Sequence, residues 1–192
     1  MGFQIQDGTG SSKKVKVNSN NRIETESVIT TSLSTTSKQD GNAYTVGTDG
    51  IFSGSFSTGT DNALLYCKNN EDKDLFVDVC VVSQDVAGIY KFIKNPTAGT
   101  LITNGTSTSP LNLNFGSSNV ADLDVIKLDA VGRTFTDGTT ITYSRNPAGL
   151  QPLDFLGTVV VPKGSSFGIT YNPDATGTVN LSVFFFVHLS PF

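Results

Sequence analysis

The sequence predicts an all-β protein, a sandwich or barrel of many short strands, and three observations carry that prediction. The first is composition: 44 Ser plus Thr and 19 Gly among 192 residues load the chain with turn formers and β-compatible small polar residues. The second is rhythm, because strand-like runs recur at roughly 8–12-residue spacing between clusters of Gly, Asn and Asp. The third is the run 179–189, which alternates apolar and other residues without a break. No stretch repeats apolar residues at helical spacing, so a helical domain is not expected.

Taken in order, residues 1–40 read as an extended arm with edge strands, anchored only by scattered residues such as Val15, Val17, Ile23 and Ile29. Within it, 14–17 and 22–29 favour strand around a turn at 18–21. Residues 41–192 read as the sandwich domain. Its runs are 43–46, 51–56, 62–69, 75–82 and 88–93, then weaker ones at 111–115, 125–128 and 139–143, then 153–161, 167–171 and 179–189. Residues 97–108 and 129–138 read as loops. The pairs Asn95-Pro96, Asn146-Pro147 and Asn172-Pro173 each follow a run, and proline cannot donate to a ladder, so they mark corners.

In the last run Val179, Leu181, Val183, Phe185, Val187 and Leu189 share one face, which belongs in a core. Asn180, Ser182, Phe184, Phe186 and His188 share the other. That second face starts polar and turns aromatic, so another segment of the chain or another subunit is expected to cover it. Burying Phe184 and Phe186 stabilises such a contact by about 1.5–3 kcal/mol each.

The net charge of −4, with 13 Lys and Arg, provides no concentrated basic face for nucleic acid. Lys13, Lys14 and Lys16 cluster near the start, as a solvated segment or as a contact for an acidic partner surface. Residues 1–7 lack a basic, apolar leader, and no apolar run approaches the roughly 20 residues that span a bilayer. The expectation is a soluble protein made in the cytoplasm, without membrane partners. Cys67 and Cys80 are expected on a hairpin, 62–69 and 74–82, whose register keeps the sulfurs apart as free, packing thiols.

No catalytic or metal site is expected. Gly164-Ser165-Ser166-Phe167-Gly168 matches a nucleophile elbow, and Ser166, Asp174 and His188 follow a hydrolase order. The elbow, however, needs a helix after the serine, and 167–171 alternates like a strand. A hairpin turn is expected there instead. His188 is the single histidine, which removes paired-histidine metal sites. Asp72 with Asp74, and Asp122, Asp124 and Asp129, lack the complete calcium-loop pattern. The chain has no Trp and five Tyr, which weakens but does not eliminate a carbohydrate-binding reading.

Several segments resemble small structural proteins of tailed bacteriophages, in particular head decoration (cement) proteins. They are Asp7-Gly8-Thr9-Gly10 leading to Val15-Lys16-Val17-Asn18-Ser19-Asn20-Asn21-Arg22, Leu64-Leu65-Tyr66-Cys67-Lys68-Asn69-Asn70-Glu71-Asp72, Asn95-Pro96-Thr97-Ala98-Gly99-Thr100 and Val161-Pro162-Lys163-Gly164-Ser165-Ser166. The resemblance implies a jelly-roll-like antiparallel β-sandwich, without cofactor, that binds the outside of a capsid as a trimer and clamps neighbouring major capsid proteins. It implies a place on the virion surface. From charge and exposure, Lys13, Lys14, Lys16, Arg22, Phe184, Phe186 and His188 are the expected capsid or subunit contacts. A phage tail or receptor-binding component, or a lectin-like module, is the alternative.

Overall fold

The computed structural model describes residue 37 and residues 39–190, apart from the Leu156 side chain, and almost all of its regular structure is strand. In chain order the elements are β1 (Ala43–Gly47), β2 (Phe52–Phe56), β3 (Asn62–Asn69), β4 (Leu75–Gln84) and β5 (Gly88–Lys94). There follow α1 (Thr100–Asn104), β6 (Thr106–Thr108), β7 (Leu111–Asn112), β8 (Leu123–Lys127), β9 (Thr139–Asn146), β10 (Gly149–Val161), β11 (Ser166–Pro173) and β12 (Gly177–Leu189).

The strands form two sheets, and every pairing between them is antiparallel. Sheet one runs β10-β4-β12-β1-β7, with β2 also on β12, and sheet two runs β6-β8-β3-β11-β5-β9. Strands β10, β4, β12 and β1 interleave in sequence with β3, β11, β5 and β9 of the opposite sheet. This is the order of an eight-stranded jelly roll. β1 and β2 lie end to end along β12, interrupted at Thr48, whose backbone N–H donates to the Val183 carbonyl at 2.9 Å.

The alternation of β12 sets its place. Val179, Leu181, Val183, Phe185, Val187 and Leu189 are all at most 4% exposed and face the other sheet. Phe185 meets Phe167 of β11 at 5.0 Å between ring centroids, and Phe92 of β5 meets Phe155 of β10 at 4.9 Å. Tyr171 bridges Phe56 and Tyr90 at 5.8 and 4.9 Å. Such pairs add about 0.5–1.5 kcal/mol each beyond the area they bury.

The longest connection, residues 95–138 between β5 and β9, carries α1 and β6 to β8. β8 extends sheet two beside β3 and β7 extends sheet one beside β1, so this insertion covers the edges on one side of the sandwich. Its return leg is held by the Ala63 N–H donating to the Arg133 carbonyl at 2.7 Å and the Leu128 N–H donating to Leu64 at 2.8 Å.

Three expectations are corrected. The run 62–69 and the run beginning at 75 do not form a hairpin, because β3 lies in sheet two and β4 in sheet one. Alternation tells a strand which way to face but not which sheet to join. At the crossing, Asn69 Nδ2 donates to the Lys73 and Val161 carbonyls at 2.8 Å each, fixing a corner where a hairpin turn was expected. The turn around Gly164 likewise passes from β10 in one sheet to β11 in the other, so it closes no hairpin. The expected loop 97–108 also holds the short helix α1, made possible by Leu101, whose side chain is fully buried. The three Asn-Pro pairs do end strands, after β5 and at the ends of β9 and β11.

Candidate functional site

The residues of the hydrolase-like order are not brought together. Ser166 donates its hydroxyl to the Pro96 carbonyl at 2.8 Å, Asp174 pairs with Arg145 at 3.0 Å, and His188 lies in the other sheet. Two of the candidate acids are engaged elsewhere. Asp129 holds Arg133 at 2.7 Å, and Asp72 pairs with Lys163, whose hydrogen bond and charge hold the Asp72 carboxyl below its usual range. Among the described residues no cluster of three or more potential metal ligands occurs. Cys67 and Cys80 are free and fully buried, and burial pushes both thiols up, away from the reactive thiolate.

The expected contacts fall in two groups. Lys13, Lys14, Lys16 and Arg22, with the strands expected at 14–17 and 22–29, lie outside the described residues. Phe184 and Phe186 are half-buried on the outer face of sheet one. Phe184 lies against Gly47, where an added Cβ would come within 2.5 Å of the ring. His188, on the same face, is 2% exposed and stacks on Phe76 with ring centroids 5.1 Å apart. Its Nδ1 lies 3.1 Å from Asp78 Oδ2, while its Nε2 has no hydrogen-bond partner among the described residues. Asp78 reaches it because it is the extra residue of a β-bulge in β4, between the pairs Phe186–Val79 and Val187–Val77.

A second surface was not anticipated. Among the described residues β9 pairs only with β5 and β10 only with β4, so each is the last strand of its sheet. The two are consecutive, joined by a short turn at Gly149, whose φ of 111° favours glycine. The insertion covers the opposite side of the sandwich, and among the described residues no segment pairs with the edges on this side.

Along the seam lies a cavity of about 540 Å³ whose lining mixes apolar side chains, among them Ile141, Tyr143 and Phe155, with the polar Thr142, Ser144 and Asp154. A smaller one of about 220 Å³ continues it past Val159 and Phe167. Ile141 is 46% exposed, Tyr143 74%, Leu150 68% and Val160 45%, all on these two strands. Ile141 is the extra residue where the β5–β9 register shifts, and Phe155 sits in the four-residue excursion of β10 between Asp154 and Val159. The irregularities on both strands therefore place apolar side chains at the seam.

No protein-family model matches the chain, and no curated protein matches it. Among solved structures it is similar to the decameric BFDV capsid protein, at 14% identity over 77% of this chain and 98% of that one, with a TM-score of 0.25. It is also similar to infectious bursal disease virus, Gt strain, at 17% identity over 78% of this chain, with a TM-score of 0.21. For the infectious bursal disease virus VP2 subviral particle the identity is 11% over 77% of this chain, with a TM-score of 0.17. The chain spans 42% and 41% of the length of those last two. The jelly-roll assignment rests on strand order, not on these likenesses.

Proposed function

We propose that this chain is a non-enzymatic structural protein of a virion and, more finely, a decoration protein that binds the outside of a tailed-phage capsid and clamps neighbouring major capsid proteins. Jelly rolls serve capsids, lectins and other proteins alike, so function has to be argued from the surface. The seam between β9 and β10 carries the argument. Strand edges on monomeric proteins are normally blunted by charge, whereas β9 offers Thr139-Thr140-Ile141-Thr142-Tyr143-Ser144 before its one charged residue, Arg145. The groove between the two strands suits a protein partner that inserts side chains, and β9, with no charge or proline before Arg145, is the edge on which such a partner adds a strand, whereas Pro152 and Asp154 mark β10 as a protected edge.

In this reading residues 1–40 form the arm that reaches across the capsid surface, with Lys13, Lys14, Lys16 and Arg22 as its polar contacts. Residues 41–192 form the sandwich. Phe184 and Phe186 make the contact between copies in a trimer. Light scattering of the Phe184→Asp variant tests that contact: a lower oligomer mass supports it, and an unchanged, folded oligomer removes this face from the interface. The function itself is tested by co-sedimentation of the purified full chain with mature phage capsids that lack it. Saturable pelleting is expected, and protein that stays in the supernatant at every capsid concentration contradicts the proposal.

A further inference from the structure

The outer face of sheet two holds a second concavity, separate from the seam and different in chemistry. Its volume is about 480 Å³. The floor is made by Thr170 of β11, Lys91 and Ile93 of β5 and Thr140 of β9, with Lys91 opposite Thr170 and Ile93 opposite Thr140 in the ladders. One wall is the loop at Gly59 to Asp61, and the other is the end of the long insertion from Thr134 to Gly138.

Both walls are fixed by hydrogen bonds. Gly59 N–H donates to Asn172 Oδ1 at 2.9 Å, Asn172 Nδ2 donates to Asp61 Oδ1 at 3.3 Å, and Lys91 Nζ donates to Asp61 Oδ2 at 2.5 Å. Across the concavity, Asp137 accepts from the backbone N–H groups of Thr97 and Ala98 at 2.8 and 2.9 Å, and from the Thr97 hydroxyl at 2.5 Å. Phe135 lies over Gly168, where an added Cβ would fall 2.5 Å from its ring. Thr170 on the floor is 5% exposed, and among the described residues its Oγ1 has no hydrogen-bond partner.

We propose that this concavity binds a neutral saccharide. Asp61 is neutralised by Lys91, so an anionic ligand meets no free cation, and the two oxygens of Asp137 are committed to three donors from Thr97 and Ala98. A purely apolar ligand would strand the polar rim without hydrogen bonds. A sugar fits both conditions. The Asp61–Lys91 pair, with side chains 38% and 34% exposed, presents an acceptor beside a donor, which matches two vicinal hydroxyls. Threonine hydroxyls extend the pattern, and the half-buried Phe135 offers apolar surface to the C–H face of a sugar ring.

The test uses the full chain and four sugars: glucose, galactose, mannose and N-acetylglucosamine. Each is examined by saturation-transfer difference NMR against wild type, Lys91→Met and Asp61→Asn. Saturation transfer to at least one of the four is expected, with affinity at least roughly tenfold lower in both variants, because each removes a charge-assisted hydrogen bond. The melting temperatures confirm that the variants fold, and either variant alone suffices if the other does not. Absence of transfer to all four sugars overturns the proposal, as does equal transfer to a folded variant. Binding of N-acetylneuraminic acid without binding of any neutral sugar also overturns it. Capsid co-sedimentation is a separate readout, so the two proposals stand or fall independently.

Discussion

Tyr90 of β5 donates its hydroxyl to Gln84 Oε1 of β4 at 3.1 Å, linking the two sheets through a buried hydrogen bond. Gln84 Nε2 in turn donates to the Pro147 carbonyl at 2.6 Å, in the turn that joins β9 to β10. One short chain of bonds thus fastens both sheets to the end of the apolar seam. Burial pushes the Tyr90 hydroxyl far above its usual range, so it remains a donor into alkaline solution.

Replacing Tyr90 by Phe keeps the ring and leaves Gln84 Oε1 buried without its donor. The expected loss is about 1–3 kcal/mol of unfolding free energy in urea, the cost of an unsatisfied buried acceptor. Unchanged stability would mean that the link between the sheets contributes nothing.

Stability is expected to fall in acid. Asp85 accepts from the Asn180 side chain at 2.6 Å and from its backbone N–H at 2.9 Å, and these bonds hold its carboxyl below the ordinary range. Asp129 is lowered in the same direction by the Arg133 guanidinium, and Asp137 by Thr97 and the Ala98 N–H. A folded-state pKa below the unfolded one means that the unfolded chain binds more protons, so the stabilisation is present above the unfolded value and is lost as pH falls through the folded one. The urea midpoint should therefore be flat in this contribution from neutrality to about pH 5 and decline below about pH 4. Asp85→Ala should make that decline shallower; an identical profile would exclude Asp85 from it.

The insertion is pinned at Gly99. Its φ is 143°, and a Cβ there would come within 2.2 Å of the Thr134 carbonyl oxygen and 2.7 Å of Phe135 Cα, both backbone atoms that cannot swing aside. The legs are laced beside it by the Thr136 N–H donating to the Ala98 carbonyl at 3.0 Å and the Thr134 N–H donating to Thr100 Oγ1 at 2.9 Å. Gly99→Ala is expected to cost about 1–3 kcal/mol through overpacking and backbone strain. A melting temperature equal to wild type would show that the legs separate freely.

Much of the fold was legible because its signals are local. Val179 to Leu189 alternates over a strand that is buried on one face, and the Asn-Pro pairs stop strands by removing a donor, so strand positions and corners followed directly. Sheet membership did not, because it depends on contacts distant in sequence: Cys67 and Cys80 lie on neighbouring runs yet in opposite sheets. The seam was hidden for the same reason. Ile141 and Tyr143 read as half of an ordinary alternating strand until β9 is known to be an edge. One signal was available in Pro152, which sits within β10 and suits an edge strand, where a missing donor is tolerated. The concavity on the outer face of sheet two joins Asp61, Lys91, Asp137 and Thr170 from four separate stretches, and no spacing in the sequence announces it.

The central claim is that the β9–β10 seam is the surface that engages the capsid. The most direct test is capsid co-sedimentation of a chain carrying Ile141→Asp and Tyr143→Asp together, both positions being exposed enough to accept a charge without opening the core. The account predicts a melting temperature close to wild type and an affinity for capsids at least roughly tenfold weaker, as for loss of anchoring residues at an interface. A folded double variant that pellets with capsids as fully as wild type would contradict it.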